Sequence, residues 1–183
     1  MAQRRVGLRS ARDSLRCAPR RTLPALADMN DTYRLRRFEI AQDGRKAYET
    51  AVAQLHAGRK VSHWMWFIFP QLSGLGQSSM SRTYAISSLA EAEAYLEDPV
   101  LGPRLIESAR ILTELKGQSA QQIFGTTDAM KLRSSMTLFA RAAPDNAVFR
   151  QVLNDYFDGV ADEVTESRLE SLDRYPGTSD GSA

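Results

Sequence analysis

The chain has very few of the residues that build cysteine- and histidine-based sites. Cys17 is the only cysteine, and His56 and His63 are the only histidines, in 183 residues. A single cysteine excludes an intramolecular disulfide and a multi-cysteine zinc site. The two histidines stand on either side of a predicted helix stop at Gly58, at a spacing that no common metal motif uses. We therefore predict no metal site and no cofactor.

The chain also lacks a long hydrophobic run and a strand-like pattern. Its longest apolar run, residues 64–69, is far shorter than the roughly 20 residues of a membrane-spanning helix. No apolar stretch follows the first arginines, so no export signal is predicted. No segment alternates polar and β-branched residues, which argues against a sheet. These absences predict an all-α protein that is cytoplasmic and has no membrane partner.

Positive charge is concentrated at the N-terminal end. Residues 1–28 contain seven arginines and two aspartates, whereas the remaining residues contain 17 basic and 20 acidic side chains. Because nucleic-acid binding requires a cationic surface on the folded unit, we expect no nucleic-acid partner for the folded domain. Residues 1–35 are predicted to be a disordered Arg-rich tail. We favour a mis-assigned start, with the true start at Met29, over a nucleic-acid or membrane arm or a transit peptide.

Helical spacing and capping residues recur across residues 36–172, and a last short helix is predicted near residues 165–172. The predicted caps and stops are Asp43, Gly58, Ser88 with Glu91, Asp98 before Pro99, Ser119 with Gln122, Thr127 or Asp128, and Asn146. The predicted fold class is all-α, an irregular multi-helical single domain. Residues 173–183, rich in Pro, Gly, Ser and Asp, are predicted to be disordered. The pattern does not predict an oligomeric state.

Residues 62–70 contain both tryptophans and are predicted to form a short helix at the centre of the core. Ser62 is a suitable cap, and Pro70 disfavours helix at the residue before it. Residues two apart on a helix point about 200° apart, so Trp64 and Trp66 cannot share a face. One indole is therefore expected in the core and the other at a surface or cleft.

Polar residues flank this aromatic segment. His63 lies at its start and Gln71 follows it. A Gly/Ser loop then leads to Ser78 and Ser79 at a predicted helix start, where free backbone N–H groups can bind an anion. The alternative for His63 is a hydrogen-bonded structural histidine.

A second polar cluster lies on a later helix. Lys131 stands three and four residues before Ser134 and Ser135, so the lysine can approach both hydroxyls. A lysine beside serines can bind phosphate or carboxylate, or activate a nucleophilic hydroxyl. The alternative is a solvated helix face whose serines bond to backbone carbonyls.

Several of these motifs resemble an uncharacterised bacterial family. The resemblance covers about residues 38–172, and the segment around Ser-His-Trp-Met-Trp is its most specific part. The matching segments are residues 59–71, 74–78, 84–86, 98–102, 123–125, 131–139 and 153–159. The resemblance implies a compact all-helical fold and no established activity. The label "calpastatin" sometimes attached to the family carries no weight, because calpastatins are disordered and this chain is patterned to fold.

We therefore expect a domain that binds a small polar or anionic ligand, with nucleotide-derived molecules as one candidate class. Trp64 or Trp66 would stack on the ligand, Ser78, Ser79 and Lys131 would bind its anion, and His63 and Gln71 would orient it. Two alternatives remain. The first is an enzyme acting on a nucleotide or ADP-ribose-like substrate, with His63 as a weak candidate acid or base. The second is a protein-interaction or oligomerisation module.

Overall fold

The computed structural model describes residues 31–174, and helices account for most of them. The helices are α1 (Arg36–Asp43), α2 (Ala47–His56), α3 (Met65–Ile68), α4 (Ser79–Thr83), α5 (Leu89–Glu97), α6 (Leu101–Glu114), α7 (Ala120–Phe124), α8 (Thr126–Ala142), α9 (Ala147–Phe157) and α10 (Glu163–Arg174). A short 3₁₀ turn, Gly44–Lys46, joins α1 to α2. Between residues 31 and 174 the β-structure is one isolated bridge, Leu72 with Ile86. The predicted all-α single domain is confirmed, and the predictions for residues 1–30 and 175–183 lie outside the described residues.

The longest helix, α8, organises the packing. It contacts α5, α7, α9 and α10, while α6 packs against α2, α5 and α9. Leu132, Met136 and Phe139 repeat at i, i+4 and i+7 along α8 and are fully buried. This is the spacing of one apolar helix face, so the sequence pattern and the core agree. The core is one continuous cluster that extends from Phe38 in α1 to Leu169 in α10.

Most of the predicted caps hold, but neither Thr127 nor Asp128 caps α8, which begins at Thr126 directly after Gly125. Ser119 and Gln122 form a complete capping box at α7, and Asn146 caps α9. The Asp98 carboxylate accepts the N–H groups of Val100, at the cap position of α6, and of Leu101, its first residue, so Pro99 lies before the helix and not at its first position. Ser88 caps α5, but the Glu91 side chain does not return to it. Glu91 instead pairs with an arginine of α1, because tertiary partners compete with local ones for a side chain that long.

The predictions for Asp43 and Ser62 are wrong. Asp43 is the last residue of α1, and its carboxylate pairs with Arg104 at 2.9 Å. The residue before α2 is Lys46, in a left-handed conformation. Ser62 does not cap α3; its hydroxyl accepts a hydrogen bond from the Gln54 side chain, and Trp64 occupies the cap position. Both predictions fail because the side chain bonds to a residue of another helix instead of to the backbone next to it.

The last helix is longer than expected. It continues through Asp173 to Arg174, past the predicted onset of disorder. The buried side chains of Thr165 and Leu169 attach it to the core. Of the helices in residues 31–174, none is both long and apolar enough to cross a bilayer.

Candidate functional site

A cavity of about 560 Å³ lies between α8, the start of α10 and the loop that joins α3 to α4. Apolar and polar groups share its wall. The lining residues are Trp66, Gln71, Gly74, Leu75, Gly76, Gln77, Ser78, Ser81, Thr127, Met130, Lys131, Ser134, Asp162 and Val164. Five of the residues predicted to bind a ligand are among them: Trp66, Gln71, Ser78, Lys131 and Ser134.

The first wall follows α3. Trp66 is half-buried and faces the cavity, whereas its neighbours Phe67 and Ile68 are in the core. After Pro70 the chain is extended, and the Gln71 carbonyl accepts the Ile86 N–H at 2.8 Å. The isolated bridge therefore holds Gln71 in place at the cavity.

The second wall is the Gly/Ser loop. Gly74 has φ +83°, and a Cβ there would lie 1.8 Å from the guanidinium of Arg168, which donates to the Ser73 carbonyl. The positive φ is the main reason that glycine suits this position, and a larger residue would also have to displace the Arg168 side chain. Further along, the Ser78 hydroxyl accepts the Ser81 N–H at 3.0 Å and caps α4. The Ser78 hydroxyl thus already has a structural partner within the loop.

The third wall is α8, where Lys131 is held by a charge cluster. Its ammonium lies 2.8 Å from one Asp128 oxygen and 4.5 Å from the centre of the Trp66 ring. The other Asp128 oxygen lies 2.7 Å from the ammonium of Lys60, which is 5.2 Å from the ring of Trp64. One carboxylate therefore joins two lysines, and each lysine lies over one of the two indoles.

The protonation state of Asp128 follows from this arrangement. Burial by itself would raise the pKa of its carboxyl, but the hydrogen bonds and charges of Lys131 and Lys60 outweigh that effect. The net pKa of Asp128 lies below its ordinary value, so the carboxylate is charged near neutral pH. It fixes the Lys131 ammonium at the cavity wall.

The fourth wall is the loop that enters α10, and sequence reasoning missed it. The N–H of Asp162 donates to Thr137 Oγ1 at 2.9 Å, and its carboxylate Oδ2 accepts from the N–H and hydroxyl of Thr165. Arg133 donates to the carbonyls of Val160 and Ala161 and secures the same loop. The spacing Asp-x-x-Thr was a usable capping signal, but nothing in it indicated a cavity.

Four of the predicted ligand-binding residues lie elsewhere. His63 is exposed and does not line the cavity. Trp64 is 2% exposed and belongs to the core. Ser79 is exposed in the first turn of α4 but outside the cavity. Ser135 is fully buried because it lies on the side of α8 that faces the core. Its Oγ is the one buried side-chain polar atom in residues 31–174 without a hydrogen-bond partner.

Of the two α8 serines, Ser134 shows the bonding to a backbone carbonyl that the sequence allowed. The Ser134 hydroxyl donates to the Met130 carbonyl at 3.2 Å, one turn earlier. It lines the cavity as a hydroxyl already bonded to its own helix. Within the described part of the chain, no group of three or more His, Cys, Asp or Glu side chains could hold a metal ion.

The fold and the geometry beside Trp66 define an all-α domain with a mixed polar and apolar cavity of ligand size at this position. The chain belongs to the family described as protein of unknown function (DUF1810), which matches residues 32–169. It is also similar to the crystal structure of a conserved hypothetical protein from Mycobacterium tuberculosis, with 48% identity and a TM-score of 0.72. That match covers 74% of this chain and 96% of the other. No curated protein matches the chain.

Proposed function

We propose that this protein is a cytoplasmic domain that binds a small polar or anionic ligand in the cavity beside Trp66. One observation carries the proposal: Trp66, Gln71, Ser78, Lys131 and Ser134, from separate parts of the chain, line the same cavity. Its volume of about 560 Å³ is in the range of roughly 300–1,000 Å³ that small-molecule sites occupy. Most of the lining side chains are polar or charged, which suits a polar or anionic ligand.

Each group has a role that its position supports. The Lys131 ammonium has three N–H donors, and its bond to Asp128 uses one of them. The others are available to an anionic oxygen in the cavity. Trp66, Leu75 and Met130 supply apolar surface. The side-chain amides of Gln71 and Gln77 can both donate and accept, which suits a ligand with several polar edges.

Nucleotide-derived molecules are the class that this wall fits best. A base presents a planar face with polar edges, for which an indole and carboxamides are suitable partners. A phosphate presents the charge that an ammonium binds. An enzymatic role with His63 as acid or base has less support, since His63 is exposed and outside the cavity.

The test is calorimetric titration of the protein with AMP, and separately with adenosine and ribose 5-phosphate. We expect AMP to bind more tightly than either fragment. Lys131→Met should weaken AMP and ribose 5-phosphate about tenfold, an effect of roughly 1.4 kcal/mol, and leave adenosine nearly unchanged. Trp66→Ala should weaken AMP and adenosine instead.

Lys116→Met is the matched control, because Lys116 is exposed, does not line the cavity, and its removal changes the net charge equally. It should bind all three compounds like the wild type. Native mass spectrometry of the purified protein would show independently whether a small anionic molecule co-purifies. If none of the compounds binds and nothing co-purifies, the proposal is wrong.

A further inference from the structure

We infer that Asp162 is a specificity-determining residue that limits this cavity to ligands with a single anionic group and disfavours polyphosphates. The inference rests on the proposed function, because it concerns the same cavity. Asp162 and Lys131 are the only charged residues among those that line the cavity in the described part of the chain. A ligand that enters therefore meets one cation and one anion.

The Asp162 carboxylate is rigidly placed. Both bonds that it accepts from Thr165 end on Oδ2, so Oδ1 is the oxygen that can face a molecule in the cavity. Its backbone is fixed to α8 through Thr137. Because the loop around it is also bound by Arg133, the carboxylate cannot easily move away from a second negative charge.

The neighbouring charges do not offset it. Lys131 and Lys60 share Asp128, so these two lysines and the aspartates at 128 and 162 are balanced. Arg133 donates to the carbonyls of the loop before Asp162 and does not line the cavity. Arg168 donates to the Ser73 carbonyl and also lies outside the lining. Arg82 donates to the carbonyl of Gln77 and likewise lies outside the lining. Among the lining residues of the described chain, the one positive charge of Lys131 is matched by the one negative charge of Asp162.

Lys131 and Asp162 are held at different levels along α8. Lys131 precedes Thr137, which holds Asp162, by six residues on α8, a rise of about 9 Å along the helix axis. A single phosphate or carboxylate can bind Lys131 and stay clear of Asp162. A longer chain of phosphates adds negative charges that the Asp162 carboxylate repels.

The experiment compares AMP, ADP and ATP, without magnesium, on the wild type and on Asp162→Asn. Asparagine is as good a helix cap as aspartate, so the substitution removes the charge and keeps the start of α10. We expect the wild type to bind AMP most tightly and ATP most weakly. In Asp162→Asn the affinity for ATP should rise relative to that for AMP by about three- to tenfold, the size of a partly screened repulsion between two charges.

Asp98→Asn is the matched control. The Asp98 carboxylate also accepts two hydrogen bonds at the start of a helix, both from backbone N–H groups, and it lies outside the cavity. This variant should keep the order of the wild type. If AMP binding depends on Lys131 and Trp66 but Asp162→Asn leaves the ratio of ATP to AMP affinity unchanged, the inference about Asp162 is overturned and the proposed function stands. If the wild type binds none of the three, the inference about Asp162 is overturned, and the proposed function fails as well when no small anionic molecule co-purifies.

Discussion

The two tryptophans, two residues apart, occupy opposite kinds of environment with similar partners. Each indole has a lysine ammonium over its ring, and both lysines bind the same carboxylate, Asp128. Trp64 is buried, and its Nε1–H donates to Gln54 at 2.9 Å. Trp66 is half-buried and lines the cavity. The contact between a lysine ammonium and an indole ring therefore occurs twice, once in the core at Trp64 and once at the candidate site at Trp66.

The difference in burial between Trp64 and Trp66 shows what decides whether an indole belongs to the core or can contact a ligand. Trp64 packs edge-on against Phe124, with ring centroids 6.2 Å apart, and close to Phe69. Its polar atom is satisfied by a side chain of α2, which leaves no part of the indole for a ligand. Trp66 keeps part of its surface in the cavity. Asp128 connects the two environments, because its carboxylate binds the lysine beside each indole.

The largest expected change in stability comes from replacing each tryptophan in turn, which tests the comparison of Trp64 with Trp66. Trp64→Ala should lower the free energy of unfolding by about 3–5 kcal/mol, because it opens a void in the core. Trp66→Ala should cost only about 1–2 kcal/mol, since less of that indole is buried. Urea denaturation monitored by circular dichroism measures both. Equal losses for the two variants would show that the indoles are not in distinct environments.

A smaller effect is expected at the anchor of Trp64. The Gln54 side-chain oxygen accepts the N–H groups of Val61, Ser62 and the Trp64 indole. Gln54→Ala leaves these donors without that partner and should cost about 2–3 kcal/mol in the same unfolding assay. Gln122→Ala is the control, since it removes only an exposed capping contact and should cost about 1 kcal/mol or less. Similar losses in both would contradict the anchoring role.

The shared carboxylate should give a pH-dependent effect. The pKa of Asp128 is lower in the folded state than its ordinary value, so its contribution to stability is present above about pH 4 and is lost as the pH falls through the folded-state pKa. Asp128→Asn should cost about 1–2 kcal/mol at pH 7, partly because Lys60, 8% exposed, loses its counter-charge.

The gap between wild type and Asp128→Asn should narrow in urea titrations performed below about pH 4. Asp145→Asn removes an exposed charge from a loop and should change stability by less than about 0.5 kcal/mol at any pH. A gap that stays constant from neutral to acid pH would rule out ionised Asp128 as the cause.

The smallest effect on stability is expected at the cavity. Lys131→Met should change the unfolding free energy by no more than about 0.5 kcal/mol, because the ammonium is partly exposed and methionine preserves most of its apolar stem. In a Trp64→Phe background, where Trp66 is the remaining indole, the same substitution should shift the fluorescence emission. In a Trp66→Phe background it should not. A shift in the second background alone would reverse our assignment of the two lysines.

Local sequence accounted for the helices well and for the site in part. The capping box at Ser119 and the cap at Asn146 were readable because their partners are within three residues. Asp43 and Ser62 were misread because their side chains bond to Arg104 and Gln54, at sequence separations that no local pattern encodes.

The site residues also divide into those predictable from local spacing and those that depend on tertiary contacts. Lys131 and Ser134 were correctly placed on one face because the spacing of a helix determines which side chains are adjacent. Ser135 was expected beside them but is buried, since helical spacing alone does not say which side of that face meets the core. Asp162 was missed because its approach to the cavity depends on how the loop before α10 is held by α8.

Sequence alone determined that the chain is all-α and that the two indoles point apart, because both follow from the 3.6-residue period of a helix and from residues close in the chain. It could not determine which indole is buried. That depended on Gln54, Phe124 and Lys60, which meet Trp64 only after α2, α7 and the intervening loop have packed. The cavity beside Trp66 exists for the same reason, since α8, the Gly/Ser loop and the start of α10 enclose it only in the tertiary structure.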